Sequence, residues 1–458
     1  MTRLARLAAG EPPVVVDLFA GAGGLSLGFQ RAGFQIGGAV EIDPLAARTH
    51  ALNFGHSAEA RDMTLMEPEE LGLPFVDVLV GGPPCQAYAR VGRAKLREVA
   101  DHPSAYKVDP RGNLYLRYLA WVKALRPLAL LVENVPDILH YGHHNVAEEI
   151  VEALEDLGYT AGYSLINSAF HGCPQMRDRV FLIAYRKDTG ASVRFPKASN
   201  FMVLPRGYAG TRSVALSYIG PGYVAPDGGG AHLPGPITAR EAIGDLEPIH
   251  GGSVRRGTRR FTSVSRYVND ADFSPYVRMM RTWPGFEADD GVYDHVIRAL
   301  PRDVPIFAAM RPGAEYPEAH ETARSLAAEA AARLGLEPSS EPYTELFAKM
   351  VPPYDVGKFP NRWWKLEPDQ PVRTLMAHIG KDTYTHIHWD SQQARTISVR
   401  EAARLQGFPD GFRFEGTMNP AFRQIGNAVP PLMVAAIAGV MLETLREAAV
   451  RMTAPMAA

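Results

Sequence analysis

Cysteine is nearly missing from this chain: Cys85 and Cys173 are the two among 458 residues. That excludes a disulfide framework and the paired-cysteine spacing of a structural zinc site, and it suits a reducing cytoplasm. An excess of one charge is missing too. Forty-eight Lys and Arg face 50 Asp and Glu, for a net charge of −2, so no chain-wide basic character draws it to nucleic acid. Local basic surfaces remain possible, and these are what displace counterions from phosphates. The longest apolar stretch, 428–442, is short for a bilayer and broken by Pro430-Pro431. Residues 1–10 hold Arg3 and Arg6 but not the apolar centre of a signal peptide. Repeats and low-complexity tracts are also lacking, which excludes solenoids. A soluble cytoplasmic protein with no membrane partner is expected. With 46% hydrophobic and 21% charged residues, the chain has ordinary globular composition and length for two or three domains.

Residues 14–185 alternate short β-branched runs with amphipathic segments. Strands are expected at 14–19, 37–42, 76–80, 129–133 and 180–184. Helices are expected from the glycine turn through 29, at 44–53 with proline in the first turn, at 114–125 and at 146–157. This alternation specifies an α/β fold with a mostly parallel sheet covered on both faces. Beyond residue 186 the pattern changes: 190–262 is rich in Gly, Pro and Ser, a helix stands at 320–334, and 351–362 reads as loop. A short helix at 398–405 and a long apolar one at 431–447 follow. The expected organisation is a catalytic part at 1–188, an irregular second domain at 189–395, and a segment, 396–458, returning to the first domain.

Three places carry chemistry. Asp17-Leu18-Phe19-Ala20-Gly21-Ala22-Gly23-Gly24 ends the first strand, where glycines let the backbone turn tightly against a ligand. Ser26 stands where a dinucleotide fingerprint needs its third glycine, so a nucleoside-type cofactor suits the turn better; a purely structural turn is the alternative. Glu41, at the tip of the second strand, can accept both hydroxyls of a ribose or, more plainly, face a helix dipole. Asp62 is placed to meet an adenine amino group. Gly81-Gly82-Pro83-Pro84-Cys85-Gln86 directly follows the third strand. Ligands of open α/β sheets sit at the carboxyl ends of strands, and a turn stiffened by two glycines and two prolines presents a thiol rather than packing it.

At these residues the chain resembles the DNA cytosine-5 methyltransferase family, whose catalytic loop carries Pro-Cys in this setting. Further matches follow in the family's order: Phe19 to Gly24 as the S-adenosylmethionine turn, Glu133-Asn134-Val135, Gln175-Met176-Arg177-Asp178-Arg179, Arg400 to Pro409, and Gln424-Ile425-Gly426-Asn427-Ala428-Val429-Pro430. Residues 186–395 sit where the family has its target-recognition domain, and Thr374-Leu375 is similar to a pair common there. The resemblance implies a Rossmann-like methyltransferase fold acting on cytosine in a specific duplex DNA sequence. It implies Cys85, Glu133, Arg177 and Arg179 as catalytic residues. It implies an S-adenosylmethionine site of Phe19, Gly21, Gly23, Gly24, Glu41, Ile42, Asp62, Pro84 and Asn427, with no metal. A restriction-modification, defence or orphan methylase, monomeric and nucleoid-associated, is expected, with a cognate restriction endonuclease or defence-system proteins as partners. Phe170-His171-Gly172-Cys173-Pro174 departs from the family pattern, and Cys173 is expected to be packed rather than reactive. Arg90, Arg93, Lys95 and Arg97 are expected to close on phosphates. Arg255, Arg256, Arg259, Arg260, Arg266, Arg278 and Arg281 are expected to meet DNA or, more plainly, solvent. Three alternatives stay open: a tRNA cytosine-5 methyltransferase, disfavoured by the large insertion; a silent DNA-binding paralogue, disfavoured by Cys85, Glu133 and Arg179 all being present; and a NAD-dependent dehydrogenase, disfavoured by the glycine spacing.

Overall fold

The computed structural model describes residues 2–55, 59–84, 114–141, 144–254, 264–268, 274–358, 360, 362–380 and 385–453. They form two compact units, Met1–Pro236 with Ala428–Ala458, and Ile237–Asn427.

The first unit is built on six strands: β1 Val14–Leu18, β2 Gln35–Val40, β3 Val78–Gly81, β4 Ala129–Asn134, β5 Tyr159–Asn167 and β6 Asp178–Arg186. Their order is β2-β1-β3-β4-β6-β5. The first four are parallel, as the alternation of elements requires, and β6 runs antiparallel to both β4 and β5. The sequence does not announce β5, because Tyr159–Asn167 mixes Gly, Ser and Thr with its aromatics; its partnership with the apolar β6 makes it a strand. Parallel β1, β3 and β4 all end on one edge, and antiparallel β6 begins there, which brings residues distant in sequence to one rim.

Helices of this unit include α1 Arg3–Ala8, α2 Gly24–Ala32, α3 Pro44–Phe54, α4 Leu114–Leu125, α5 Val146–Asp156 and α6 Arg206–Leu216. On one face, Tyr118, Trp121 and Val122 of α4 and Ile150 and Leu154 of α5 bury against Leu79, Leu130, Val132 and Leu182. Residues 190–235, set apart in the sequence by composition, lie within this unit. Ala191 and Phe195 join the sheet's second core, and Tyr163 and Val224 exchange main-chain bonds with this segment (Tyr163 N–H to Gly222 O 2.9 Å, Val224 N–H to Tyr163 O 2.8 Å).

The second unit is helix and loop with little strand among the described residues; its helices include α7 Pro275–Arg281, α8 Tyr316–Arg333, α9 Val399–Gln406 and α10 Met418–Asn427. A small aromatic core gathers Phe307, Tyr316, Trp363 and Ile387. Every residue of α9 is buried, its charges included. Glu401 pairs bidentately with Arg395 (2.7 Å for each bond), and Arg404 holds Asp410 (2.7 Å) and Asp245. The chain then returns to the first unit as α11, Pro431–Thr453. This helix is long and apolar enough to cross a membrane, yet Met433, Ile437, Met441 and Leu445 are buried with Val15, Val78, Leu131 and Ile183 of the sheet. It is a core helix, and Gly28 of α2 provides its clearance: a Cβ there would stand 2.4 Å from Val434.

Candidate active site

The turn after β1 is held from the tip of β2. Phe19 adopts a left-handed backbone (φ 62°), and the Gly21 N–H donates to Glu41 Oε2 at 2.7 Å. Asp43 N–H donates to the other oxygen, also at 2.7 Å. Both carboxylate oxygens are therefore oriented while each keeps a lone pair for another donor. Burial raises the pKa of Glu41, and these main-chain donors pull it back down. Gly23 (φ 101°) leads into α2, and Gly24 meets the chain before α11 so closely that a Cβ would lie 2.4 Å from Val429 O. Beneath the turn, buried Asp17 accepts from Ser26 N–H (3.1 Å) and its hydroxyl (2.7 Å) through Oδ2. Its Oδ1 has no hydrogen-bond partner among the described residues, and burial pushes its pKa up to about 7. Ile42 is 64% exposed beside Glu41. Asp62 turns the chain by accepting from Thr64 N–H (2.9 Å) and its hydroxyl (2.7 Å) through Oδ1. Pro84 is exposed at the end of the described turn. Asn427 closes α10 in the second unit.

The turn after β3 is fixed from β4. Asn134 Nδ2 donates to Pro83 O at 2.8 Å, while a Cβ on Gly82 would stand 2.9 Å from Glu133 Oε2. The backbone leading to Cys85 is thereby laid against Glu133. Glu133 is nearly buried and receives Arg179 Nε at 2.8 Å. Burial raises the Glu133 pKa, and Arg179 and then Arg177 act against that rise. Arg177 is buried beside them, its guanidinium pulled well below its usual value mainly by desolvation. The structure thus brings Glu133, Arg177 and Arg179 together at the end of the Gly82-Pro83 turn. Asn134, quoted in the sequence as part of Glu-Asn-Val without a task, holds that turn. Its polar side chain at a strand end was the available signal.

Cys85 and the basic run Arg90, Arg93, Lys95 and Arg97 lie outside the described residues, as do Arg255, Arg256, Arg259 and Arg260. Cys173 is fully buried and burial pushes its thiol up to about 12, so it is packed, as expected. Of the other arginines, Arg266 and Arg278 are exposed, whereas Arg281 is not free for DNA. It donates to Asp245 at 2.7 Å and lies 3.4 Å over the Tyr267 ring.

Comparison with known proteins finds relatives along most of the chain. A model of C-5 cytosine-specific DNA methylases matches residues 14–217 and 338–443. A protein of Oceanobacillus iheyensis named as a type II methyltransferase, M.OihORF3336P, is 34% identical, covering 95% of this chain and 96% of that protein. The type II methyltransferase M.Bpa9945I of Bacillus paralicheniformis is 29% identical over 93% of this chain and 97% of its own length. A crystal structure described as a DNA modification methyltransferase encoded within an E. coli prophage superposes with a TM-score of 0.59 at 24% identity, covering 94% of this chain and 99% of that one; it matches in fold.

Proposed function

Because the chain belongs to the C-5 cytosine-specific DNA methylase family, we propose that it methylates an extruded cytosine through a covalent Cys85 adduct, with S-adenosylmethionine held at the turn after β1. The activity itself is DNA cytosine-5 methylation, of the restriction-modification kind. The observation that carries the mechanistic reading is the Gly82-Pro83 turn, pinned by Asn134 and pressed on Glu133, because it sets the backbone that precedes Cys85 against a nearly buried acid paired with arginine.

Cytosine C5 is a poor nucleophile. Attack of the Cys85 thiolate at C6 forms a carbon–sulfur bond and moves the C5=C6 electron pair toward C5, splitting one hard step into two easier ones. Charge that develops on the ring is met at N3 by a proton from Glu133, whose burial favours its neutral form. The second Glu133 oxygen accepts from the exocyclic amine. Arg179 orients that carboxyl group and addresses the base O2, with Arg177 adding positive charge behind it. S-adenosylmethionine, when bound, supplies the electrophilic methyl group. Loss of the C5 proton then expels the thiolate and restores the ring.

The residues of the first turn fit that cofactor. A buried Asp17 oxygen with an unmet lone pair suits a cationic ligand. Glu41 offers two oriented acceptors for the ribose hydroxyls, Ile42 offers an exposed apolar surface for adenine, and the second Asp62 oxygen can take its amino group. Phe19, Gly21, Gly23, Gly24 and Pro84 give the walls, and Asn427 comes with the last motif. The unit Ile237–Asn427 is the reader of DNA sequence, with exposed Arg266 and Arg278 toward phosphates. The natural companion of such an enzyme is a restriction endonuclease cutting the same site; the methylase itself works as a monomer in the cytoplasm.

A target carbon inside a duplex is inaccessible, so the base must flip. The test is a duplex bearing 5-fluorocytosine, alongside tRNA bearing the same analogue. Fluorine at C5 cannot leave as a proton does, so a denaturation-resistant adduct dependent on S-adenosylmethionine is expected on DNA, and Cys85→Ala should not form it. An adduct that persists in Cys85→Ala overturns the covalent assignment, and trapping on tRNA alone moves the substrate to RNA.

A further inference from the structure

Helix α6 has no fully buried residue; Ala215 and Leu216 at its end pack on the sheet's core, and polar ties hold it as well. Arg212 donates to the Asp178 carboxylate and, through Nη2, to Leu165 O at 2.7 Å. Just beyond the helix, Tyr218 stacks on His140 with ring centroids 3.7 Å apart, and its carbonyl accepts from Asn145 at 2.8 Å.

Asp178 lies between Arg177 and Arg179, where the ladder between β5 and β6 ends with the pair Asn167 and Asp178. Past that pair the main chain keeps one bond to this partner, Ser168 N–H to Arg177 O at 3.0 Å, and side chains add to it. Asn167 Nδ2 donates to Asp178 Oδ1 at 3.1 Å, and Arg212 binds the same oxygen. The consequence reaches the site through one carbonyl. Arg179 Nη1 donates to Asp178 O at 2.7 Å while its Nε donates to Glu133 at 2.8 Å. A guanidinium is a rigid fork, so fixing one tine on that carbonyl aims the other at Glu133.

We infer that Arg212 is a positioning residue for methyl transfer: by clamping Asp178 it fixes the carbonyl that orients Arg179 on Glu133. Without it, a nearly buried Asp178 carboxylate would lose its principal cation and keep only Asn167 among its side-chain donors, so the carbonyl could shift the fork by the fraction of an ångström that catalysis notices. No motif contains Arg212; it lies 34 residues from its partner.

The inference rests on the proposed role of Glu133 and Arg179, and the test separates the two. Glu133 faces Arg179 and Arg177; Arg179 in turn faces Asp178 and Asp137, and Arg177 faces Tyr208. Because Glu133 works protonated, activity falls as pH rises through its pKa. Loosening Arg179 removes a cation that favours the carboxylate, so that pKa rises and the basic limb moves to higher pH. In single-turnover methylation of unmethylated genomic DNA by the full chain, Arg212→Ala is expected to be slower by about tenfold or more. Its S-adenosylmethionine affinity should be unchanged and its basic limb displaced upward. Asp178→Asn added to Arg212→Ala should cost nothing further, because both act through one contact.

A merely structural Arg212 would lower the folded fraction and leave the limb in place; that result, a wild-type rate, or additive losses in the double variant overturns the inference. If Arg212→Ala fails to fold, Arg212→Lys carries the test. Lysine keeps the charge but lacks the planar fork that spans Asp178 and Leu165 O, so an intermediate rate with an upward-shifted limb is expected, and a wild-type limb overturns it. Glu133→Gln is the control: if it methylates at the wild-type rate, the site reading fails. If it is inactive while Arg212→Ala is normal, the positioning role alone fails.

Discussion

Arg281 and Arg266 look alike in the sequence, both arginines of one basic stretch, and tertiary contacts separate them. Arg281 is committed to Asp245 and to the face of Tyr267; Arg266 and Arg278 are exposed. A guanidinium already paired and stacked contributes to folding, and one left in solvent can displace counterions. Replacing Arg266 and Arg278 together by alanine should reduce the slope of log affinity against log salt by about 1–2. Arg281→Ala should leave that slope alone and lower the thermal midpoint. A binding titration at several salt concentrations, with a melting curve for each variant, decides; an unchanged slope in the double variant returns both residues to a solvated face. The two cysteines divide in the same manner, because burial keeps the Cys173 thiol protonated while two glycines and two prolines precede Cys85.

Helix α9 shows what an element demands when its polar residues are buried along with its apolar ones. Ser398 accepts from Glu401 N–H at 3.0 Å, and Glu401 reaches back to Ser398 N–H at 2.6 Å, a capping box that meets two of the orphan donors of the first turn. The same serine hydroxyl meets His295 Nδ1 at 2.8 Å. Ser398→Ala should therefore cost about 1–2 kcal/mol in urea unfolding; a loss under ~0.5 kcal/mol would mean the hydroxyl contributes nothing to the helix. The sequence anticipates α9 within a residue or two because Ser-x-x-Glu before a periodic run is a local signal. It misses β5 and α6, since one is made by its neighbouring strand and the other is held by remote contacts, Arg212 on Asp178 and Leu216 on the sheet's core.

Beside its aromatic core the second unit also buries imidazoles. Burial holds His386 down to about 4, His388 to about 3, and lowers His295 as well. The unfolded chain binds these protons near pH 6.5 and the folded one does not. Their contribution is thus complete above about pH 6.5 and is lost as pH falls toward the folded values. By pH 5 His386 and His388 should each have cost about 2 kcal/mol, with His295 acting in the same direction. Glu401, held below the usual carboxylate range by Arg395 against its burial, acts later: its contribution is present above about pH 4.5 and declines below. Asp17 in the first unit works oppositely, since its raised pKa makes the folded state the better proton binder between about 4 and about 7. Trp283, Trp363, Trp364 and Trp389 all lie in the second unit, so tryptophan fluorescence reports mainly on it. Its urea midpoint should fall between pH 7 and pH 5, and a midpoint independent of pH in that range refutes the account.

What the sequence determined by itself is what is local in the chain. Strand ends followed by glycine or proline turns located the rim, and the residues at those ends (Phe19, Glu41, Cys85, Glu133) identified the family and the reaction. Alternating strands and helices gave the parallel part of the sheet. Tertiary structure alone decided which distant side chains hold that rim still: Asn134 on Pro83 across 51 residues, Arg212 on Asp178 across 34. It also withdrew Arg281 from the DNA-binding set and placed residues 190–235 beside the sheet. The physical reason is one of range. Periodicity and turn chemistry act over a few neighbouring residues and leave a pattern to read, whereas a hydrogen bond between remote segments depends on where the fold carries each of them, and a lone arginine or asparagine bears no mark of its future partner.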